Sequence, residues 1–347
     1  MRAVLFDSFT EPLHVTDVPE PTVPDDGVVI QVGATGICRS DWHGWQGHDP
    51  DIVVLPHIPG HEFAGTVTAV GRLVRGSAVG DRVTVPFVCA CGACPTCRSG
   101  NGQVCPNQWQ PGFSGPGSFA ERVAIPFADV NVIHLPDAVS DETAATLGCR
   151  FATAYRAVTQ VAKVQPGEVV VVFGCGGLGL SAVMIAASLG ATVIAVDVQP
   201  SALSRAAGVG AAHLIDARDT DPVEVIRDLA PDGAHVGIDA LGSAATASAS
   251  VSALRPRGRH VQVGLLPPAV LGGRESVPMH LVIGRELAVL GSHGMAAHAY
   301  PEMLERIANG QLRPTELVAR TISLDEVPMA LAAMDGNGQD GITVCLP

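Results

Sequence analysis

The first part of the chain is patterned as short, β-prone runs of apolar residues that are interrupted by proline and glycine. These runs cover residues 28–32, 65–70, 81–88 and 120–125. Runs of this length that are bounded by turn-forming residues predict β-strands. The segment from residue 1 to about residue 145 is therefore predicted to be an all-β, barrel-like unit with long loops.

Beyond about residue 166 the pattern changes to apolar strands that alternate with helical segments. The predicted strands are residues 168–173, 191–196, 211–215, 235–239 and 259–264. Alternation of strands and helices at this spacing predicts a parallel, doubly wound sheet. From residue 291 onward the pattern predicts helical segments near 301–309 and 324–334, then a final strand at 342–346.

The length of 347 residues is that of about two domains, and it is sufficient for a substantial core. Acidic side chains outnumber basic ones by 34 to 21, which gives a formal charge of -13, and the basic residues are scattered. This balance argues against nucleic acids and anionic membranes as partners.

One uncharged stretch, residues 169–196, could be mistaken for a membrane span by hydropathy alone. It contains five β-prone residues, then closely spaced glycines, then an alanine-rich run, which predicts a buried strand, a turn and a buried helix. The N-terminus lacks the basic, apolar and small-residue pattern of a secretory leader, so we expect a cytoplasmic protein. In that compartment the nine cysteines are expected to be metal ligands or buried thiols rather than disulfides.

A glycine-rich loop lies between the first predicted strand of the parallel sheet and the helix that follows. Its sequence fits G-x-G-x-x-G and comprises Gly174, Cys175, Gly176, Gly177, Leu178 and Gly179. Glycines in this arrangement allow a tight turn, a close approach to a pyrophosphate and close packing of helix on strand. The next predicted strand ends at Asp197, where a carboxylate can accept both ribose hydroxyls. Since this carboxylate would repel a 2′-phosphate, NAD is predicted in preference to NADP.

Four cysteines are closely spaced in a loop rich in glycine, proline and asparagine. They are Cys91, Cys94, Cys97 and Cys105. Four thiolates can complete a tetrahedral shell around zinc and leave no position for a substrate, so a structural zinc is predicted. An iron–sulfur cluster and free thiols are the alternatives that the spacing leaves open.

Three further candidate ligands, Cys38, His61 and Cys149, are far apart in the sequence. A single cysteine is usually a small buried apolar residue, and a single histidine is usually a hydrogen-bonded polar residue. Spacing alone does not show that these three residues meet.

Taken together, the motifs resemble the zinc-containing medium-chain alcohol dehydrogenases over essentially the whole chain. Residues 60–65, Gly-His-Glu-Phe-Ala-Gly, followed by Gly71 and Val74, match the zinc signature of that family. The four closely spaced cysteines resemble its structural-zinc lobe, and residues 174–179 match its cofactor loop.

The resemblance implies a fold in which an α/β part is combined with an all-β part. Residues 1–150 are expected to form a GroES-like β-barrel catalytic domain that contains both zinc sites. Residues 151–290 are expected to form a Rossmann NAD-binding domain with a doubly wound parallel sheet, and residues 291–347 to return to the catalytic domain.

By the same resemblance, Cys38, His61 and Cys149 are the ligands of a catalytic zinc. Glu62 is implied to lie next to the metal as an occasional or outer ligand. Asp41 is implied to orient the ring of His61, a support that metal-binding histidines commonly have.

Ser40 and His43 match the proton-relay positions of the family, although His48 and His57 lie nearby in the sequence and compete with His43 for that role. Further site residues are implied or suggested: Arg39 and Leu265 at the cofactor, Phe87 and Leu265 near the substrate, and Trp45 and Trp109 as additional pocket walls. The two tryptophans are proposed because both are predicted in loops that flank metal sites, although such residues are more often local core.

The implied reaction is hydride transfer between a primary or secondary alcohol, or its aldehyde or ketone, and NAD, with zinc as the electrophile. An apolar pocket favours alkyl or aryl alcohols, and Cys149 agrees, because polyol dehydrogenases of the superfamily often have a carboxylate at that position. The alternatives are a polyol or amino-alcohol dehydrogenase, a zinc-free enone or quinone reductase, and a non-catalytic scaffold that binds zinc and dinucleotide. A homodimer or homotetramer is expected, since both are common in that family.

Overall fold

The computed structural model describes residues 1–266, 271, 273, 276–335 and 341–347. The chain divides into two compact units. Unit 1 comprises Met1–Ala152 and Gly294–Pro347, and unit 2 comprises Thr153–His293.

The strands, in chain order, are β1 (Arg2–Leu5), β2 (His14–Asp17), β3 (Val28–Ile37), β4 (Glu62–Val70), β5 (Arg82–Thr84), β6 (Arg122–Ile125), β7 (Ile133–His134), β8 (Val169–Phe173), β9 (Thr192–Asp197), β10 (His213–Asp216), β11 (Ala234–Asp239), β12 (Leu254–Gln262), β13 (Ala288–Gly291), β14 (Val318–Ser323) and β15 (Ile342–Leu346). The α-helices are Arg39–Trp45, Pro95–Arg98, Ala128–Asn131, Asp141–Ala144, Ala152–Arg156, Gly177–Ser188, Pro200–Gly208, Pro222–Leu229, Ala244–Ser252, Met279–Gly284, Tyr300–Ala308 and Val327–Ala332. Short 3-10 helices are Gly102–Val104, Ala297–Ala299, Pro314–Leu317, Leu324–Glu326 and Ala333–Asp335, and π-helical turns are Leu147–Phe151 and Ala157–Val161.

Within the described residues, unit 1 is built on a seven-stranded sheet whose order is β14-β15-β3-β4-β5-β7, with β6 also paired to β3. The final strand, β15, lies antiparallel to β3, so the C-terminal segment completes the sheet that the first part of the chain begins. The inward side chains of β3 and β4 include Val28, Ile30 and Phe63, which are fully buried in one hydrophobic cluster. Cys38 directly follows β3 and His61 directly precedes β4, so this strand pair positions both residues.

Unit 2 contains a six-stranded sheet in the order β10-β9-β8-β11-β12-β13. Every pairing in it is parallel, which confirms the predicted parallel sheet. The central strand β8 has the sequence VVVVF and is almost wholly buried, as expected for a parallel strand covered on both faces. The chain continues to β9 on one side of β8, whereas β11 lies on the other, and ligands bind at such a change of direction in open α/β sheets.

The uncharged stretch 169–196 forms β8, the helix Gly177–Ser188 and most of β9, as predicted. Among the described residues, no helix combines the length and the apolar character that crossing a bilayer requires.

Several elements differ from the sequence prediction. The predicted run 81–88 contributes only the three-residue strand β5, because Pro86 and the loop that leads to the cysteine quartet follow it closely. Strands β1, β2, β7, β13 and β14 were not predicted, since each is short and only partly follows an alternating apolar pattern. Pairing with another strand is what makes each of them extended.

Candidate functional site

Three potential metal ligands come from separate segments of unit 1. Cys38 follows β3 and caps the helix Arg39–Trp45, and His61 immediately precedes β4. Cys149 lies in the π-helical turn Leu147–Phe151. The antiparallel pairing of β3 with β4 brings the first two residues to the same end of the sheet. The two sulphurs and a ring nitrogen of His61 all lie within 4.8 Å of one another.

The carboxylate of Asp41 positions this cluster through hydrogen bonds to His61 and to the backbone of the neighbouring segments. Its Oδ1 accepts hydrogen bonds from Nδ1 of His61 at 2.7 Å and from the backbone amide of Gly60 at 3.1 Å. Its Oδ2 accepts the backbone amide of Cys38 at 2.9 Å. One buried carboxylate therefore holds the His61 ring and both flanking backbone segments in place.

The donor set fits a zinc ion. Because a carboxylate accepts from Nδ1 of His61, the proton is assigned to Nδ1 and the lone pair to Nε2. That Nε2 atom is buried and has no hydrogen-bond partner among the described residues, a costly state for a polar atom unless a ligand binds it. Zinc distances of about 2.3 Å to sulphur and about 2.0–2.1 Å to nitrogen place tetrahedral donors roughly 3.5–3.8 Å apart, within the observed limit.

The two thiols of the cluster differ in acidity. A hydrogen bond with Cys149 lowers the pKa of Cys38; burial opposes the shift, and the positive charge of Arg150 assists it. The same hydrogen bond, together with burial, raises the pKa of Cys149. The cluster therefore favours the thiolate at Cys38, which is the form that binds metals.

Glu62 forms an ion pair with Arg150, a residue that no sequence motif marked as part of the site. Oε1 of Glu62 accepts the backbone amides of Cys149 at 3.1 Å and Arg150 at 2.7 Å, and Oε2 accepts Nε of Arg150 at 2.7 Å and a second guanidinium nitrogen. Arg150 also donates to the carbonyl of Ile37 at 3.0 Å. This buried pair fastens the turn that carries Cys149 to the end of β3. The only sequence signal for it was an arginine directly after a candidate ligand.

Ser40 and His43 lie three residues apart on the helix Arg39–Trp45, so their side chains project from neighbouring positions. The Ser40 hydroxyl is 3.8 Å from the Cys38 sulphur. Burial lowers the pKa of His43, and the positive charges of Arg39 and His48 lower it further. Of the two competing histidines, His57 is buried and bonded to the carbonyl of Gly112, whereas His48 contacts His43.

Two phenylalanines, Phe87 and Phe113, form the aromatic surroundings of His61. Their ring centroids lie 6.3 Å and 5.2 Å from the His61 ring. Phe87 was predicted, whereas Phe113 was not, because nothing in the sequence near it marks a site.

The two tryptophans proposed as pocket walls have other surroundings. Trp45 ends a helix rather than lying in a loop, is buried in the core of unit 1, and donates its indole N–H to the carbonyl of Glu11 at 2.7 Å. Trp109 pairs through its backbone with Cys89 and lines a cavity of 530 Å³ that none of the three candidate ligands lines. Both positions are explained by local packing of a large apolar side chain.

The cysteine quartet forms a second cluster in unit 1. Neighbouring sulphurs of Cys91, Cys94, Cys97 and Cys105 are 3.4–4.0 Å apart. Four sulphurs placed tetrahedrally at about 2.3 Å from zinc would be ~3.8 Å apart, so this set also fits the ion. The backbone amides of Ala93 and Cys94 hydrogen-bond to Cys91 and lower the pKa of its thiol to about 6.

The glycine-rich loop of unit 2 joins β8 to the helix Gly177–Ser188. Gly174 has a φ of +88°, and a Cβ on Gly179 would lie 1.8 Å from the Gly174 carbonyl oxygen, so both positions require glycine. The helix begins at Gly177, and its N-cap residue Gly176 offers no side chain, which leaves the first amides of the helix available to an anion. Asp197 ends β9 and accepts the amides of Cys175 at 2.6 Å and Gln199 at 2.8 Å.

Two further predicted cofactor residues belong to different units. Arg39 of unit 1 lies over the ring of Trp42, with its guanidinium carbon 4.0 Å from the ring centroid, and it donates to the carbonyl of Met334. Leu265 of unit 2 follows β12 and is 61% exposed.

Comparisons with known proteins agree with this architecture. Residues 24–137 match the family described as "Alcohol dehydrogenase GroES-like domain", and residues 177–309 match "Zinc-binding dehydrogenase". An alcohol dehydrogenase of Geobacillus stearothermophilus is 32% identical over 336 residues, which is 96% of each chain. A sorbitol dehydrogenase of Bacillus subtilis is also 32% identical, over 93% of this chain and 90% of the relative.

Solved structures give the same result. An alcohol dehydrogenase from Thermus sp. ATN1 has a TM-score of 0.90 and 33% identity, covering 100% of this chain and 99% of that one. A zinc-binding dehydrogenase from Sinorhizobium meliloti, described as bound to NADP, has a TM-score of 0.89 and 29% identity, with coverage of 100% and 99%. The chain therefore belongs to the zinc-containing medium-chain alcohol dehydrogenase family, and it is a zinc-dependent alcohol oxidoreductase with a GroES-like and a Rossmann-type domain that uses a nicotinamide dinucleotide.

Proposed function

We propose that the protein transfers hydride between primary or secondary alcohols of apolar character and NAD, with a catalytic zinc held by Cys38, His61 and Cys149. The observation that carries this proposal is the buried Nε2 of His61, which lacks a hydrogen-bond partner among the described residues and lies beside two cysteine sulphurs. Three protein donors leave a fourth tetrahedral position for substrate, as in other catalytic zinc sites.

When bound, zinc supplies a Lewis acid that lowers the pKa of a substrate hydroxyl. Asp41 keeps the His61 lone pair directed into the cluster, and the Glu62–Arg150 pair holds the turn with Cys149. Ser40 and His43 take up the hydroxyl proton, for which a histidine of lowered pKa is suited, since it is neutral and able to accept at neutral pH.

We propose that a second zinc is held by the cysteine quartet and is structural. Four thiolates around a divalent cation give a net charge near -2, which makes a poor electrophile, and they leave no position for a substrate. The loop around the quartet has little apolar core of its own, only Ala90 beside the cysteines. The metal would therefore replace a core in fixing it.

NAD is proposed over NADP because Asp197 stands at the end of β9. Each of its oxygens accepts one backbone amide and keeps acceptor capacity for a ribose hydroxyl. A 2′-phosphate beside this carboxylate would cost several kcal/mol, about 100-fold or more in kcat/KM. Because one relative is described as bound to NADP, the preference should be measured directly, as kcat/KM for NAD and for NADP in the wild type and in Asp197→Ala. We expect the preference for NAD to be smaller in Asp197→Ala.

The proposed substrate class rests on the aromatic surroundings of the cluster. Phe87 and Phe113 flank His61, and the ligand at position 149 is a thiolate rather than a carboxylate. Both features favour alkyl or aryl alcohols over polyols. The likeness to a sorbitol dehydrogenase keeps a polyol substrate as the second candidate.

The deciding experiment is a set of initial rates of NADH formation by zinc-replete protein with benzyl alcohol, a simple secondary alcohol, sorbitol and threonine. We expect turnover of the first two substrates and its loss in Cys38→Ser. Cys89→Ser is the matched control, because Cys89 is equally buried in unit 1 but is bonded to the Pro86 carbonyl and lies outside both clusters. Faster turnover of sorbitol or threonine would replace the proposed substrate class.

We further propose a cytoplasmic homodimer or homotetramer. None of the nine cysteines forms a disulfide, which agrees with a reducing compartment. Within the described residues, β13 is an edge strand of its sheet, and Met279 and Ile283 on a nearby helix are 52% and 76% exposed. Exposed apolar side chains at a sheet edge favour a protein partner. Light scattering after size-exclusion chromatography measures the state directly.

A further inference from the structure

A second histidine, His48, lies against the predicted relay histidine. Nδ1 of His43 and Nδ1 of His48 are 3.0 Å apart, and the two ring centroids are 5.4 Å apart. One nitrogen must donate and the other accept, so a proton lies on the line between the rings. His43 is half-buried, whereas His48 is exposed, and the pair therefore leads from the protein toward solvent.

The local backbone fixes this contact. The helix Arg39–Trp45 is followed by Gly47 with a φ of +72°, whose amide donates to the Gly44 carbonyl at 3.0 Å, while the amide of His48 donates to the His43 carbonyl at 3.0 Å. This pair of bonds is the Schellman ending of a helix, which brings the residue after the left-handed glycine beside the residue five positions earlier. The position of His48 is thus built into the end of the helix.

Trp42 packs against both rings. Its ring meets His43 and His48 edge-on, at centroid distances of 5.0 Å and 5.8 Å. Because Trp42 is buried in the core of unit 1, it limits the rotation of both imidazoles. The pair is therefore preorganised rather than a chance contact of two surface side chains.

The charges around the pair favour outward transfer. The charged or titratable groups that influence the pKa of His43 are Arg39, His48 and Cys38. Asp335 lies on a segment that packs against the same helix, and its charge influences the pKa of Arg39. Burial lowers the pKa of His43, and the positive charges of Arg39 and His48 lower it further, although the negative charge of Cys38 opposes them. A proton taken up by His43 is therefore released readily to a more exposed acceptor.

We propose that His48 is the terminal proton carrier of alcohol oxidation, receiving the substrate proton from His43 and passing it to water or buffer. This inference rests on the proposed function. His43 accepts the proton at one ring nitrogen and gives up the proton on Nδ1 to Nδ1 of His48. His48 then releases the proton from its other nitrogen to solvent. Both rings are then neutral but in the opposite tautomers, and proton exchange with solvent restores the starting tautomers.

The test is a single-turnover experiment on holoenzyme with NAD+ and benzyl alcohol, in weak buffer with a pH indicator. Proton release and formation of reduced cofactor are followed together. We expect His48→Gln to slow proton release by about tenfold, and imidazole to restore it. This is less than the roughly 100-fold or more of a group that acts directly on the substrate, because His43 remains and can release its proton to solvent slowly. Gly47→Ala, which keeps His48 but disfavours the left-handed turn, should show the same loss. His14→Gln is the matched control, since His14 is an exposed histidine of the same unit, on β2, whose ion-pair partner is Asp7 at 3.8 Å.

The outcomes are distinguishable. Proton release at the wild-type rate in His48→Gln, or a loss that imidazole does not repair, would overturn the role of His48 alone. If the wild type reduces no NAD+ with any alcohol, the proposed function fails, and this inference fails with it. Slow, imidazole-rescued release in His48→Gln with normal release in His14→Gln supports the relay.

Discussion

The carboxylate behind the predicted catalytic zinc offers a sharp test of the site. Asp41 accepts three hydrogen bonds, from the His61 ring and from the amides of Cys38 and Gly60, and it is 1% exposed. In Asp41→Asn the shape is retained. The amide oxygen can still accept from His61 and Gly60, but an NH2 group now faces the Cys38 amide, so two donors oppose each other.

The magnitude follows from these contacts. The bond to His61 changes from a charge-assisted to a neutral one, which is about half as strong. The amide of Cys38 loses its acceptor. It then becomes a buried, unsatisfied donor, which costs roughly 1–3 kcal/mol. Changes of groups that orient zinc ligands typically reduce metal affinity by about 10–100-fold, which corresponds to roughly 1.4–2.8 kcal/mol and agrees with the sum of these effects.

The assay is zinc competition with a chelator of known affinity, in which the first and second ions are resolved. We expect Asp41→Asn to weaken binding of one zinc only, and activity to recover partly in excess zinc. Asp25→Asn is the control, because Asp25 is an exposed carboxylate whose partner is the surface residue Arg72. Unchanged affinity in Asp41→Asn would refute the reasoning that Asp41 holds the His61 ring for a metal.

Three further outcomes are expected. His43→Ala should reduce alcohol oxidation by about 100-fold below pH 8, where solvent hydroxide cannot replace a general base, and an unchanged rate in that range would remove His43 from the relay. Arg150→Met should lower the free energy of unfolding by about 3–5 kcal/mol, since the buried carboxylate of Glu62 loses its cationic partner. The double variant with Glu62→Gln should recover much of that loss, and chemical denaturation measures both. Gly179→Ala should abolish binding of the dinucleotide in calorimetry, because the added Cβ overlaps the carbonyl of Gly174, and normal affinity would show that the loop does not hold the cofactor as proposed.

Local features of the site were predictable from sequence, and distant ones were not. The four cysteines lie between Cys91 and Cys105, so the conformations open to so short a loop already bring their sulphurs close. Likewise, the glycine loop follows one strand and begins one helix, and both its turn and its packing are set within a few residues. The geometry of such motifs is determined by residues that are close together in the sequence.

The cluster around His61 depends instead on long-range pairing. Cys38 reaches His61 only because β3 pairs with β4, and Cys149 reaches both because a separate turn is fastened by Arg150. A resemblance to a family could suggest these three ligands, but no local pattern could. Arg150 and Phe113 were missed for the same reason, since their partners are far away in the sequence.

Sequence position alone also misplaced Trp45 in a loop, and it did not show that His48 contacts His43. Proximity to predicted metal sites in the sequence suggested a pocket role for Trp45, whereas the structure buries it and bonds its N–H to the carbonyl of Glu11. His48 was considered only as a competitor of His43, although Gly47 before it is a local signal for the helix ending that places the two rings together.

The central claim is that Cys38, His61 and Cys149 hold a zinc ion that is separate from the zinc of the cysteine quartet and is required for alcohol oxidation. Its most direct test is the zinc content per chain, by elemental analysis, of the wild type and of Cys38→Ser, measured beside NADH formation on the same samples. The two ligand clusters predict two zinc ions in the wild type and one in Cys38→Ser, with activity lost in the variant. Two zinc ions and full activity in Cys38→Ser would contradict the account.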